Sequence, residues 1–208
     1  MRTKLVVLVA IIFGGCYHLH ADSPLTSTYM SESYEDVPIV ILAFQAEGKL
    51  TDELMDYIVD PENLIDIRIA IINALSWGHE GIENAEIFLA YLEGIEMFTD
   101  YDDFTSNAPW DLLICMAYLD ALDDYFNVRS AMSLARKARS KNGNSYTVSI
   151  ICALIEAQIA MHSGMHNWCE AYNLTDQVRN NLSLKQDMRE GAVNNIFEYM
   201  DVYESYCE

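Results

Sequence analysis

The stretch from residue 145 to residue 162 reads SYTVSIICALIEAQIAMH and decides the fold class. Its large apolar side chains recur at Val148, Ile151 and Ile155, which is the spacing of one helix face, and alanines occupy another face. Ser145 is a typical N-cap residue. Because a helix that is apolar on nearly all sides lies in the middle of a domain, we predict a central helix over 146–162.

The remaining sequence after residue 36 has the same helical character. Asp60-Pro61-Glu62 is typical of a helix start, and Ser183-Leu-Lys-Gln186 matches a capping box. The segment 37–46 is either a helix or a strand, and 98–108 is predicted to be a loop. The other predicted helices span 51–59, 61–76, 82–97, 109–124, 128–140, 167–181 and 184–206. The sequence therefore predicts one all-α domain of antiparallel helical hairpins over 37–208.

The hairpins also suggest a repeat. Trp110 and Ser145 open two helices 35 residues apart, and alanines such as Ala117 and Ala135 would let neighbouring helices approach closely. This architecture resembles the tetratricopeptide repeat, an α-solenoid with a period of about 34 residues. The alternative is an irregular helical bundle. The resemblance implies a concave face lined by the inner helices, and we predict that Trp110, Tyr118 and Tyr146 bind a partner there.

The N-terminus has the layout of an export signal. A basic start, Met1–Lys4, precedes the apolar run 5–13 and then Gly14-Gly15-Cys16. The apolar run is too short to span a bilayer, which takes about 20 residues. The small pair followed by cysteine resembles the lipobox of bacterial lipoproteins. That resemblance implies removal of 1–15, a lipid on Cys16 and a location in the cell envelope. The Ser/Thr-rich composition that follows predicts a tether over 16–36. Some surface-exposed lipoproteins have acidic residues directly after the cysteine, and 17–20 has none, so we predict that the chain faces the periplasm.

Charge narrows the choice of partners. The formal net charge is −20, which excludes nucleic acid as a partner because phosphates would be repelled. No Lys or Arg occurs between Arg68 and Arg129, whereas five basic residues occur within 129–141. The acidic region could receive a basic segment of another envelope protein, with Arg129 and Arg136 as further contact candidates. Alternatively, the basic helix simply neutralises the acidic surface within the molecule.

One cluster has the composition of a metal site. His162, His166 and Cys169 could offer two imidazoles and a thiolate to zinc, as in a metal-dependent hydrolase. The alternative is a polar turn between two helices, since Ser163-Gly164 breaks the spacing of the two histidines. No catalytic motif stands out elsewhere, and we predict no cofactor.

The cysteines after Cys16 leave the redox state open. An exported protein could form two disulfides, but Cys115 and Cys152 lie in apolar helical stretches and are predicted to be buried and free. Cys169 and Cys207 are freer to pair or react. If the chain were instead a secreted eukaryotic protein, Asn173 and Asn181 would be glycosylation acceptors.

Overall fold

The computed structural model describes residues 23–164 and 167–207, and within these ranges it contains helices and no strand. The all-α prediction is confirmed. The α-helices in this part of the chain are α1 (Pro38–Gln45), α2 (Asp52–Val59), α3 (Ile65–Ala74), α4 (Asn84–Gly94), α5 (Tyr101–Asn107), α6 (Trp110–Asp123), α7 (Arg129–Lys141), α8 (Tyr146–His162), α9 (Trp168–Arg179) and α10 (Glu190–Met200). The described residues also form 3₁₀ turns at Met30–Tyr34 and Asp201–Cys207.

Helix α8 lies in the middle of the core, as predicted. It packs against α6, α7 and α9, and most of its residues are buried. The side chain of Ser145 caps its first turn by accepting a hydrogen bond of 3.1 Å from the N–H of Val148. A helix in this position needs apolar side chains on every side, which is the pattern its sequence has.

Sequence neighbours form packed hairpins, chiefly α6 with α7 and α8 with α9. The alanines at these contacts are fully buried, among them Ala117, Ala121, Ala131 and Ala135. Small side chains allow the helix backbones to approach closely. The structure is therefore a bundle or solenoid of helical hairpins, and the finer assignment to a tetratricopeptide-like repeat stays a prediction.

Two segments differ from the sequence prediction, and a third resolves an alternative that the sequence left open. The predicted loop 98–108 contains α5, whose first turn is capped by the side chain of Asp100 and which is anchored by the fully buried Phe104. The segment 37–46 is helical, as α1. Helix α3 begins at Ile65 instead of residue 61, because Asn63 donates a hydrogen bond of 2.8 Å to the carbonyl of Tyr57 and holds 60–64 in a turn.

The last α-helix also begins later than predicted, at Glu190 instead of residue 184. The N–H of Lys185 donates to the carbonyl of Asn144 at 2.7 Å, and the N–H of Tyr146 donates to the carbonyl of Lys185 at 3.1 Å. These two bonds form a bridge that keeps the backbone at residue 185 beside the start of α8. The side chain of Ser183 bonds Asn181 instead of capping a helix.

Residues 23–36 pack on the domain and so differ from the tether predicted for 16–36. Leu25, Met30 and Tyr34 are each about 1% exposed. Asn73 of α3 holds this segment, accepting from the N–H of Ser31 and donating to the carbonyl of Thr28. The packing follows from these three apolar side chains, since burying each one stabilises the folded chain by about 1.5 to 3 kcal/mol. The predicted signal 1–15 and Cys16 lie outside the described residues.

Candidate binding cleft

The described part of the molecule contains a cleft of about 680 Å³. It forms where four separate parts of the sequence meet: the turn at 61–64 with the start of α3, the start of α6, the α7–α8 turn and the segment 185–189. The side chains that its chemistry depends on are Glu62, Leu64, Asp66, Arg68, Trp110, Asp111, Lys185, Asp187 and Arg189.

A buried ion pair forms the floor of the cleft. Nη1 of Arg68 on α3 lies 2.7 Å from Oδ2 of Asp111 on α6, and the Arg68 side chain is only 1% exposed. Burial by itself would lower the pKa of Arg68, but the neighbouring Cys115 and Asp111 outweigh it and raise this pKa above its usual value. Burial also raises the pKa of the Cys115 thiol, to about 11. Arg68 is therefore a fixed positive charge that joins two helices.

A second polar group lies beside this floor. The hydroxyl of Tyr34 donates to Oδ2 of Asp66 at 2.8 Å, and burial together with the Asp66 charge raises the pKa of Tyr34. The guanidinium of Arg189 stacks over the Tyr34 ring, 4.5 Å from its centroid, and pairs with Asp36. Because the hydroxyl stays protonated, it remains a donor that fixes the Asp66 carboxylate at the edge of the cleft.

The wall formed by 185–189 is attached firmly to the first turn of α8. Oδ1 of Asp187 accepts from the N–H of Thr147 at 2.8 Å, and the Thr147 hydroxyl donates to the carbonyl of Asp187 at 2.8 Å. Asp187 thus supplies a second cap to α8, next to that of Ser145. The wall and the central helix hold each other in place, so the cleft is preformed.

The accessible groups at the rim favour a ligand that is partly apolar and partly cationic. Trp110 is half-buried in the cleft wall, and Leu64 is 65% exposed. Glu62 is exposed, and Asp187 is half-buried. Two of the lining cations are already paired with acids, Arg68 with Asp111 and Arg189 with Asp36. A lining that combines an indole with carboxylates suits the side chain of a lysine or arginine.

The structure brings only one of the three predicted aromatic contacts into the cleft. Trp110 lines it, whereas Tyr118 is fully buried and its hydroxyl accepts from Nδ2 of Asn73 at 2.8 Å. Tyr146 is 1% exposed, and its hydroxyl has no hydrogen-bond partner among the described residues. We therefore correct the prediction for these two tyrosines, which belong to the core. Their place follows from the inward faces of α6 and α8.

The predicted basic contacts lie on α7, away from the cleft lining. Arg136 is exposed and pairs with Glu156 of α8 at 2.8 Å. Lys137 and Lys141 donate to the carbonyls of Thr105 and Ala108 at the end of α5. Because these basic side chains bind groups of the same chain, they favour the alternative in which α7 neutralises the acidic surface within the molecule. Arg129 is exposed and borders a small hollow beside Phe126.

Two of the three proposed metal ligands have other partners in the structure. Cys169 forms a disulfide with Cys207, so it has no thiolate to offer a metal. Nε2 of His162 lies 3.0 Å from Nε2 of Gln158, and its ring stacks on Phe126. His166 lies outside the described residues. Within the described residues no group of three or more His, Cys, Asp or Glu is placed to hold a metal ion.

Sequence reasoning missed the cleft residues Asp66, Arg68, Asp111 and Arg189. One signal was available: Asp66 and Arg68 interrupt the apolar run of α3, and a charge on a buried face needs a partner. The partner itself, Asp111, is 43 residues away and follows no local pattern.

Comparison with known proteins finds no matching protein-family model, no matching curated protein and no matching solved structure. Among residues 23–164 and 167–207, no helix has the length and apolarity needed to cross a bilayer.

Proposed function

We propose that this protein is a lipid-anchored protein of the bacterial cell envelope, facing the periplasm, and that it acts as a non-catalytic interaction module. Its cleft holds a basic segment of another envelope protein. The observation that carries the proposal is the preformed cleft, whose lining combines Trp110 with the carboxylates of Glu62, Asp66, Asp111 and Asp187. The helical hairpins serve as the scaffold that positions its four parts.

The charges of the cleft support a cationic ligand. Arg68 pairs with Asp111 and Arg189 with Asp36, so the rim presents two carboxylates, Glu62 and Asp187, and one ammonium group, Lys185. The carboxylates outnumber the ammonium group, which favours a cationic ligand. A volume of about 680 Å³ is within the range of pockets that hold a drug-sized ligand, so it suits a few residues of a peptide. Rim charges act mainly on the association rate, and binding should weaken at high salt.

The N-terminal sequence supports the anchor. Gly14-Gly15-Cys16 follows a basic start and an apolar run, the order found in lipoprotein signals. Growth with labelled fatty acid, followed by intact-mass measurement, tests the anchor directly. A chain that starts at Cys16 and carries lipid supports it. An unlabelled chain with its leader still attached contradicts it.

A photo-crosslinking amino acid at Leu64 tests the cleft. Leu64 is 65% exposed in the cleft wall, and Leu182, which is 94% exposed and not in the lining, is the matched control position. We expect a discrete crosslinked product in living cells from position 64 and none from position 182. Adding Trp110→Ala should reduce the product, because the indole contact is lost. Equal products from both positions, or no effect of Trp110→Ala, would argue against this function.

A further inference from the structure

The first described residues lie against an aromatic surface. Nε1 of Trp77 donates to the carbonyl of Thr26 at 3.2 Å, three residues after the described chain begins at Ser23. Tyr29, Phe44 and Trp77 border the same hollow of about 200 Å³ beside Thr26. The polypeptide therefore enters the domain next to these three rings.

The same surface continues along a chain of ring contacts. Trp77 meets Tyr125 edge-on at 5.2 Å between centroids, and Tyr125 lies 4.2 Å from Phe126. Phe126 is 69% exposed, Tyr29 56% and Phe44 44%. We call these five residues, Tyr29, Phe44, Trp77, Tyr125 and Phe126, the aromatic strip. Trp77 and Tyr125 are half-buried. Apolar rings gathered at a surface in this way usually mark a contact surface.

Chain length limits how far the strip can be from an anchor at Cys16. Seven peptide steps separate Ser23 from Cys16, and a fully extended chain of that length spans at most about 25 Å. The strip is bonded to residue 26, so it stays near the bilayer if Cys16 carries a lipid.

We propose that the aromatic strip is the membrane-facing surface of the domain, seated in the interfacial region of the bilayer. This inference rests on the proposed lipid anchor. Tryptophan and tyrosine concentrate at membrane–water interfaces, where the ring is apolar and its polar edge stays hydrated. The anchor keeps the strip at high local concentration beside the lipid, so the contact itself can be weak.

The charges near the strip specify the type of lipid. Glu32 borders the hollow at Tyr29 and Phe44, and the Asp124 carboxylate accepts from the N–H of Phe126 at 3.2 Å. Arg129 borders the hollow at Phe126, but the whole chain has a net charge of −20. Zwitterionic headgroups should therefore be favoured over anionic ones.

Quenching of tryptophan fluorescence by brominated lipid tests the orientation. Chains spanning residues 16–208 are coupled through the Cys16 thiol to vesicles of phosphatidylcholine, with or without bromine on the acyl chains. Trp110→Phe with Trp168→Phe leaves Trp77 as the sole reporter, and Trp77→Phe with Trp110→Phe leaves Trp168. We expect emission from Trp77 to fall roughly twofold on brominated lipid and emission from Trp168 to change little, because only Trp77 belongs to the interfacial surface.

Two comparisons make the test specific. Phe126→Ser with Tyr29→Ser should reduce the quenching of Trp77, whereas Leu182→Ser, at an exposed apolar site outside the strip, should leave it unchanged. Vesicles containing phosphatidylglycerol should give less quenching than phosphatidylcholine alone. Equal quenching of Trp77 and Trp168, or none of either, overturns the inference. The vesicle coupling is chemical and does not depend on a native lipid. Fatty-acid labelling of Cys16 therefore tests the native anchor separately, so the membrane-facing strip and the lipid anchor can each be contradicted independently.

Discussion

Two buried tyrosines have opposite hydrogen-bonding environments. The hydroxyl of Tyr34 donates to the Asp66 carboxylate and accepts from the N–H of Arg189, so it fixes one edge of the cleft. The hydroxyl of Tyr146 is buried without a partner among the described residues. A buried polar group without a partner costs free energy, whereas a bonded one stabilises the fold.

These environments predict mutational effects of opposite sign. Tyr34→Phe should lower the free energy of unfolding by about 1 to 3 kcal/mol, because it removes the donor to Oδ2 of Asp66 and the acceptor of the Arg189 N–H. Tyr146→Phe should leave stability unchanged or raise it by up to about 1 kcal/mol. Urea denaturation of both variants measures the difference. If Tyr146→Phe lowered the free energy of unfolding as much as Tyr34→Phe does, this prediction would be wrong.

Helix α4 is capped by a side chain of helix α6. The first turn of α4 exposes the N–H of Ala85, which donates to Oδ2 of Asp123 on α6 at 2.7 Å. Burial, aided by the negative charges of Glu83 and Asp120, raises the pKa of Asp123 to about 6, although its bonds to the α4 backbone work in the other direction. The contact between α4 and α6 therefore depends on a carboxylate that is costly to ionise.

This raised pKa gives a pH dependence with a definite sign. The folded chain holds the Asp123 proton more tightly than the unfolded chain does, so this residue's contribution to stability falls as pH rises from about 4 to 6. Asp123→Asn keeps an acceptor for Ala85 without the charge. After allowance for partial solvent screening, we expect it to be more stable by about 1 to 2 kcal/mol at pH 7 and nearly equal at pH 4.

Denaturation of the Asp123→Asn variant and the natural chain at both pH values measures this. Glu198→Gln is the control, since it removes one negative charge from the exposed surface of α10. If Glu198→Gln and Asp123→Asn raised the free energy of unfolding by similar amounts, the effect would come from net charge and not from the cap on α4.

A disulfide joins the end of the described chain to the rest of the domain. The Cys169–Cys207 disulfide closes a loop of 38 residues between the start of α9 and the final 3₁₀ turn. Arg179 strengthens the same connection by pairing with Asp201. The other two described cysteines, Cys115 and Cys152, are buried and free, as the sequence predicts.

Reduction of this disulfide should lower the free energy of unfolding by about 2 to 4 kcal/mol, since a closed loop of this length restricts the unfolded chain. Thermal or urea unfolding with and without a phosphine reductant measures the loss. The double variant Cys169→Ser with Cys207→Ser should start at the lower stability and show no response to the reductant. A response in that variant would mean that another change is responsible.

Most of the helical segments, though not α5, could be predicted from the sequence alone, because helix formation follows from local spacing of apolar side chains and from caps within a few residues. Residues 146–162 illustrate this, with Ser145 as the cap and α8 at the predicted bounds. The cleft, in contrast, depends on tertiary packing that no local pattern of residues specifies. Its walls come from four distant parts of the chain, and 185–189 precedes the last α-helix instead of joining it, because its bonding partners lie about 40 residues away on α8. Arg68 and Asp111 meet for the same reason: a buried charge requires a partner, and which residue supplies it depends on how the helices pack.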